Sequence, residues 1–351
     1  MTTLGASTSP FAVTVQPSGR SFTVPAGDTV LAAGISQGIG LPYGCKDGAC
    51  GSCKCKMVSG QVEHRAHQEK ALTADEAAAG FILTCCAMPQ TDLVLESRQV
   101  TEAGALPIKK MPTRVSSLEK KSADVVVMKL QLPANDTFLY RAGQYIEFML
   151  RDGARRSYSM ASAPVEGSPL ELHIRHMPGG KFTDLVFGSM KEKDILRIEG
   201  PFGSFFLRED SEAPIILLAS GTGLAPIKAL LEYLQHKGIT RKATLYWGGR
   251  RPADLYLNDW VMAFAEANPW LSYVPVVSDA LPEDGWSGRT GFVHRAVLQD
   301  FADLSGHQVY ACGAPIVVDS AKKDFCAQAG LPEEQFFADA FTSEADKAHS
   351  A

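Results

Sequence analysis

The chain has 351 residues, 45% hydrophobic and 21% charged, with a formal net charge of −5. That length supports two or three domains with separate cores, and the slightly acidic balance leaves no basic footprint for nucleic acid or an anionic membrane. No apolar run approaches the roughly 20 residues that cross a bilayer, and "MTTLGASTSPFAVTVQ" lacks the basic and long apolar regions of a signal peptide. A cytoplasmic location is therefore expected, where clustered thiols bind metal or do redox chemistry more often than they pair.

Residues 9–101 read as a first domain. "FAVTVQ" and "SFTVPAG" alternate as strands around Ser18-Gly19, a hairpin signal. "DTVLAAGISQG" has helical spacing with Asp28 as its predicted cap. "TADEAAAG" carries a capping box from Thr73 to Glu76 and a stop at Gly80, and "TDLVLES" closes the domain as a strand. Between the two helices lies "YGCKDGACGSCKCK"; six of the eight cysteines fall between Cys45 and Cys86. Cys45-x4-Cys50-x2-Cys53, with Cys85 beyond the second helix, is the spacing of a plant-type [2Fe–2S] cluster. Gly44, Gly48 and Gly51 let the backbone bring N–H donors close to such a core. The competing reading is structural zinc on Cys50, Cys53, Cys55 and one more thiol. Zinc favours two separated C-x-x-C pairs, and this chain has one.

After a linker at 102–111, residues 112–208 are strand-rich: "ADVVVMKLQL", "QYIEFML", "RRSYSMA", "LELHIRH" and "DILRIEG", separated by Gly, Pro and Asn. Close strand spacing suggests a small antiparallel barrel. From 209 to 342 strands and helices alternate. "PIILLAS" leads into Gly-Thr-Gly and the helix "APIKALLEYLQHKG". Later strands are "ATLYWGG", "LSYVPVVS" and "QVYACG", and later helices "DWVMAFAEANP", "GFVHRAVLQDF" and "IVVDSAKKDFCAQAG". This alternation argues a doubly wound parallel sheet with a nucleotide site at its switch point. Residues 343–351 are a tail.

"YGCKDGACGSC" followed by "LTCC" resembles the ferredoxin module of NADH-dependent oxygenase reductases. The resemblance implies a β-grasp domain in which Cys85 is the fourth ligand beside Cys45, Cys50 and Cys53, with Cys55 and Cys86 left as small unbonded thiols. "RRSYSMASAP", "HIRHMPGGKFT" and "GPFG" resemble the flavin barrel of the ferredoxin–NADP reductase superfamily. There Arg156 would meet the flavin phosphate, with Ser157 beside it. Tyr158 would pack on the ring and Ser159 would face its reactive nitrogen. His173, Ile174 and Arg175 would line the ring edge, and Gly180, Lys181, Phe182 and Thr183 would offer donors at a helix start. Members with an N-terminal ferredoxin generally use FAD.

"SGTGLAPIKALLE" resembles the superfamily's nicotinamide loop, with Gly221, Thr222, Gly223 and Pro226 clearing space at a helix N-terminus. "YACGAP" implies that Cys312 and Gly313, followed by Pro315, lie beside the nicotinamide. Arg250, with Asp254 and Tyr256, resembles NADH-using relatives, while Arg251 leaves NADPH open, since an arginine can pair with a 2′-phosphate. In "FFADAF", Asp339 and Phe341 match an acidic residue and a terminal aromatic that shields the flavin, with Asp for the usual Glu and Ala340 where Lys is common. A solvated surface carboxylate is the alternative for Asp339.

The expected fold is thus multidomain, α+β and α/β. The expected reaction is hydride transfer from NADH to flavin, with Ser159, Cys312 and Asp339 as the catalytic set, then single electrons through the cluster to a separate acceptor protein. The resemblance is to reductases serving ring dioxygenases, di-iron monooxygenases and the CDP-6-deoxyhexose dehydratase system. "HIRHMPGGKFTD" and "GPFGSFFLRED" match CDP-6-deoxy-Δ3,4-glucoseen reductases most nearly. A monomer is expected, with Lys46, Lys54 and Lys56 around the cluster loop as a docking charge for an acidic acceptor. The alternative is a redox carrier or sensor that only binds nucleotide and cluster.

Overall fold

The computed structural model describes residues 10–100 and 106–342. The leader region, the centre of the linker and the 343–351 tail lie outside the described residues. The chain forms two compact units, one ending at Leu106 and one running from Pro107 to Phe341.

The first unit is built from β1 (Phe11–Gln16), β2 (Arg20–Val24), α1 (Val30–Ser36), β3 (Lys54–Ser59), β4 (Val62–His64), α2 (Ala74–Ala78), β5 (Phe81–Leu83), β6 (Ala87–Pro89) and β7 (Leu93–Glu96). Five strands form one sheet in the order β2-β1-β7-β3-β5, with β1 and β7 parallel and the other pairs antiparallel. Alternation places Val13, Val15, Phe22, Val24, Leu93 and Leu95 on the buried face, where Val30, Leu31 and Ala33 of α1 complete the core. The cap of α1 is Thr29, whose hydroxyl accepts from the Ala32 N–H at 3.3 Å, one residue beyond the expected Asp28. The capping box from Thr73 to Glu76 forms as expected, and Gly80 turns the chain at φ +84°.

The second unit opens with β8 (Lys109–Lys120), β9 (Val125–Gln131), β10 (Tyr145–Met149), β11 (Arg155–Ser159), β12 (Leu170–Arg175), α3 (Lys181–Gly188) and β13 (Ile195–Phe202). The strands pair antiparallel in the order β11-β10-β13-β8-β9-β12, and a bridge between Met160 and Leu172 joins the two ends into a barrel. Lys109–Pro112, expected to end the linker, instead begin β8. Only Met111, Thr113 and Val115 of that stretch are deeply buried, so an alternating strand looked like a polar connector.

The remainder comprises β14 (Ile215–Ser220), α4 (Leu224–Lys237), β15 (Ala243–Gly249), α5 (Asn258–Ala267), β16 (Leu271–Val277), β17 (Arg289–Thr290), α6 (Val293–Asp300), β18 (Gln308–Gly313), α7 (Pro315–Ala329) and β19 (Phe336–Ala340). All six strands are parallel in the order β17-β16-β15-β14-β18-β19. Successive residues serve opposite faces. Leu217, Ala219, Leu245 and Trp247 pack with α4 and α5 residues, and Ile216, Leu218, Tyr246 and Val309 with α6 and α7 residues. The first of these cores also takes in Val125, Ala142, Phe205 and Leu207, so the barrel and the parallel layer share one hydrophobic core. The strand order reverses between β14 and β18, which opens a crevice at their carboxyl ends.

Candidate functional site

In the first unit, the loop after α1 and the segment after β5 bring thiols together in two pairs. The Cys45 N–H donates to the Cys50 sulfur at 3.3 Å and the Cys50 N–H to the Cys45 sulfur at 3.4 Å. Cys53 and Cys85, both buried, have sulfurs 3.2 Å apart. All four are free thiols. Hydrogen bonds from Cys50 and Cys85 push the Cys45 thiol far below its ordinary range, as a thiolate ligand requires. Gly48 and Gly51 hold φ near +76°, and a Cβ on Gly48 would sit 2.7 Å from the Cys86 sulfur, so the loop admits no side chain there. Among the described residues, no three His, Cys, Asp or Glu side chains converge as a single ion would need. Two thiol pairs fit a two-iron core better than one zinc.

Cys55 lies apart from this set. It pairs with Ile82 across β3 and β5 and is 6% exposed. Burial, then the charge of Cys53, pushes its thiol up to about 12. The Cys86 sulfur lies 3.6 Å from Cys85 and 3.8 Å from the Ala66 carbonyl. Two of the three lysines expected to dock a partner are engaged internally. Lys54 pairs with Glu76 at 2.6 Å, and Lys56 bonds the Ala79 carbonyl while lying over the Phe81 ring.

In the second unit, β18 and β19 run side by side with Cys312 opposite Asp339 and Gly313 opposite Ala340. The Asp339 carboxylate is 7% exposed, which excludes a solvated surface role. It accepts from the Ser159 hydroxyl at 2.9 Å and lies 4.0 Å from the Cys312 sulfur. Burial, then the neighbouring Asp339, pushes the Cys312 thiol well up, so it stays protonated. The Phe341 N–H donates to the Gly313 carbonyl at 2.8 Å, which holds the aromatic beside the same loop.

The two crevice loops wedge together. A Cβ on Gly223 would lie 2.2 Å from the Cys312 carbonyl oxygen, and Gly313, at φ +129°, leaves equally little room against Ser220. Thr222 sits in the single turn Gly221–Gly223 that runs into α4, with Pro226 in its first turn. The Trp247 indole N–H donates to the Gly221 carbonyl at 2.9 Å and anchors that turn.

Arg175, at the end of β12, reaches the same turn; its guanidinium would be 2.9 Å from a Cβ on Gly221. Asp124 lies 3.1 Å from Nε as an ion pair, yet buried Nε and Nη2 have no well-aligned acceptor among the described residues. Such donors suit an anionic oxygen of a bound group. Arg156 and Tyr158 lie on the barrel-facing side of β11, cross-strand from Phe148 and Ile146, while Ser157 is exposed. Phe182 stacks on Phe148 at 4.4 Å inside the barrel, and Lys181 pairs with Asp152. The Thr183 hydroxyl is held by the Met177 carbonyl at 2.9 Å, and Gly180 caps α3.

His173 and Ile174 are buried rather than presented at an edge; Ile174 belongs to the barrel core. His173 bonds Glu171 at 3.0 Å through Nε2 and the Tyr256 hydroxyl at 2.7 Å through Nδ1. A carboxylate only accepts, so Nε2 carries the proton and the Tyr256 hydroxyl donates to Nδ1. Burial lowers the His173 pKa, which keeps the ring neutral. Lys228 of α4 closes the network. It lies 3.0 Å from Glu171, pairs with Glu232 and approaches the Ala161 carbonyl at 3.3 Å. Glu232 in turn accepts from the Ala163 N–H at 3.0 Å. Burial would raise Glu171, but His173 and Lys228 hold it at about 2. Sequence reading missed Glu171, Lys228 and Glu232. Their only signals were two polar residues on one face of an apolar strand and an i, i+4 charge pair on a helix.

Three family models match successive parts of the chain: a 2Fe-2S iron-sulfur cluster binding domain at 13–90, an oxidoreductase FAD-binding domain at 112–207 and an oxidoreductase NAD-binding domain at 217–323. The CDP-6-deoxy-L-threo-D-glycero-4-hexulose-3-dehydrase reductase of Yersinia pseudotuberculosis is 41% identical over 94% of this chain and 98% of its own. Reductase component 1 of the terephthalate 1,2-dioxygenase of a Comamonas species is 33% identical over 95% of this chain and 98% of its own. The crystal structure of an Amycolatopsis cytochrome P450 reductase superposes with a TM-score of 0.76 at 33% identity, covering 95% of this chain and 99% of that one.

Proposed function

Since the chain belongs to the iron–sulfur flavoprotein reductases, in which a plant-type ferredoxin is joined to FAD- and NAD-binding modules, we propose that its acceptor is a dehydrase acting on a nucleotide-linked deoxyhexulose. The chain is an oxidoreductase that carries [2Fe–2S], FAD and NAD(H), and it passes electrons from NADH through the cluster to a separate acceptor protein. What supports the finer reading is the identity gap: 41% to the reductase named for such a dehydrase against 33% to the dioxygenase component. An oxygenase component is the second reading.

FAD, when bound, takes a hydride's two electrons together and releases them singly, which matches a nicotinamide to a one-electron cluster. We assign the functional division to residues 9–101, 112–208 and 209–342. Cys45, Cys50, Cys53 and Cys85 hold the irons, an assignment supported by their pairing. Arg156, Tyr158 and Arg175 hold the flavin, supported by the unmatched Arg175 donors. Ser159, Cys312 and Asp339 form a water-excluded polar platform at the crevice where hydride moves, and this convergence is the observation that carries the catalytic assignment. Gly221, Gly223 and Gly313 clear backbone for the dinucleotide. We further propose a cytoplasmic monomer; the described residues contain no helix long and apolar enough to cross a membrane.

The test is reconstitution. Purified protein should show flavin and iron–sulfur absorption that NADH bleaches, and NADH oxidation should couple to deoxygenation when a CDP-6-deoxyhexulose dehydrase is added. No bleaching with either nicotinamide would return the chain to a binding-only carrier. Turnover with an oxygenase component and none with the dehydrase would overturn the acceptor.

A further inference from the structure

The loop after β15 is where a doubly wound sheet receives the adenosine ribose, and an arginine there can pair with a 2′-phosphate. Arg250 and Arg251 occupy that place, yet Arg251 is not open to a phosphate. Its Nε donates to one oxygen of Asp284 at 2.8 Å and its Nη2 to the other at 2.7 Å, a two-pronged pair. Asp284 is itself positioned from outside the motif. It ends a short turn, Pro282–Asp284, between β16 and β17, and accepts the Leu281 N–H at 2.9 Å. Asp254 is also committed, accepting the backbone N–H groups of Arg250 at 2.8 Å and Arg251 at 3.0 Å. Asp279 and Glu283 add further negative charge around the Arg251 head.

We propose that Asp284 sets the nicotinamide preference: it fills the guanidinium fork of Arg251 and puts a carboxylate where the 2′-phosphate of NADPH would lie. A bidentate carboxylate and a phosphate compete for the same two N–H donors, and the phosphate would meet like charge from Asp284. NADH, with a 2′-hydroxyl, meets neither obstacle. This rests on the reading of the loop after β15 as the adenosine side of the nucleotide site.

The experiment compares ADP-ribose with 2′-phospho-ADP-ribose, which differ by that one phosphate. Both are titrated calorimetrically into the full-length holoprotein as wild type, Asp284→Asn and Arg251→Gln/Asp284→Asn. Asparagine keeps an oxygen for the Leu281 N–H, and flavin and cluster absorbance report intact folding. Asp284→Asn is expected to bind 2′-phospho-ADP-ribose roughly 10- to 100-fold more tightly than wild type, with ADP-ribose changed less than about twofold. The ratio of kcat/KM for NADPH to that for NADH should rise in step. Adding Arg251→Gln should remove the gain. An unchanged affinity in Asp284→Asn, or a gain that survives loss of Arg251, would overturn the proposal. If Arg250→Ala and the double variant both leave ADP-ribose binding and 2′-phosphate discrimination as in wild type, the adenosine site lies elsewhere and the proposal falls with that reading.

Discussion

The Ser159 hydroxyl donates to the Asp339 carboxylate across 2.9 Å, although the two residues are 180 positions apart in the chain. One stands at the end of barrel strand β11, the other in the edge strand β19 of the parallel sheet. The bond ties the flavin barrel to the nicotinamide crevice at the point where the two cofactors' chemistry must meet.

Ser159→Ala removes this donor from a buried carboxylate at a cost of about 1–3 kcal/mol. If the pair shapes hydride transfer, rapid-mixing measurements should show bleaching by NADH slowed roughly 10- to 100-fold with little change in KM. Asp339→Asn keeps an acceptor for Ser159 and should fold normally while slowing the same step. Wild-type bleaching rates in both variants would leave the pair a purely structural tie.

The Lys228–Glu171 pair predicts both a mutational and a pH signature. Lys228 is 5% exposed, so Lys228→Met leaves Glu171 and Glu232 buried with less compensation. It should destabilise the second unit by about 3–5 kcal/mol. Lys228→Met/Glu171→Gln should recover part of that loss, as a double-mutant cycle in urea would read.

Glu171 titrates at about 2 in the folded unit against an ordinary 4.5. Between those values the unfolded chain binds more protons, so the contribution of Glu171 is complete above pH 4.5 and drains as pH falls toward 2. It amounts to about 3 kcal/mol. Urea midpoints at pH 3 and pH 6 should differ less in Glu171→Gln than in wild type.

Arg175→Ala should weaken flavin retention. Its buried donors lack a well-aligned protein acceptor, and hydrogen bonds from a charged donor contribute about 1.5–3 kcal/mol each. After gel filtration the variant should show a reduced ratio of flavin to iron with cluster absorption intact. A wild-type ratio would remove Arg175 from the flavin site.

The cluster ligands separate by iron content. Cys85→Ser should lose the cluster spectrum, while Cys55→Ser and Cys86→Ser should keep about two irons per chain. Iron lost from Cys55→Ser and retained in Cys85→Ser would reverse the assignment.

Most elements declared themselves through local periodicity. The alternating strands, the capped helix at Thr73 and the strand–helix alternation after residue 209 each reflect interactions within a few residues. Strand β8 did not, because a polar stretch with Pro112 carries the same composition as a connector until β9 and β13 pair with it. The cap of α1 was misplaced by one residue, since Asp28 and Thr29 are both good caps and only the backbone geometry chooses between them.

The cysteine spacing and the glycine loops identified the cofactors from sequence, because thiolate number, loop length and backbone clearance are properties of contiguous residues. The roles of Asp339, Lys228 and Asp284 were decided by tertiary structure. Asp339 is buried beside Ser159 only because β19 pairs with β18 in one register and the barrel sits on the same crevice. Arg251 meets Asp284 only because two loops of the parallel sheet end side by side. A charge close in space and distant in sequence leaves no local pattern, yet its nearness sets whether a carboxylate is solvated, paired or placed against a ligand.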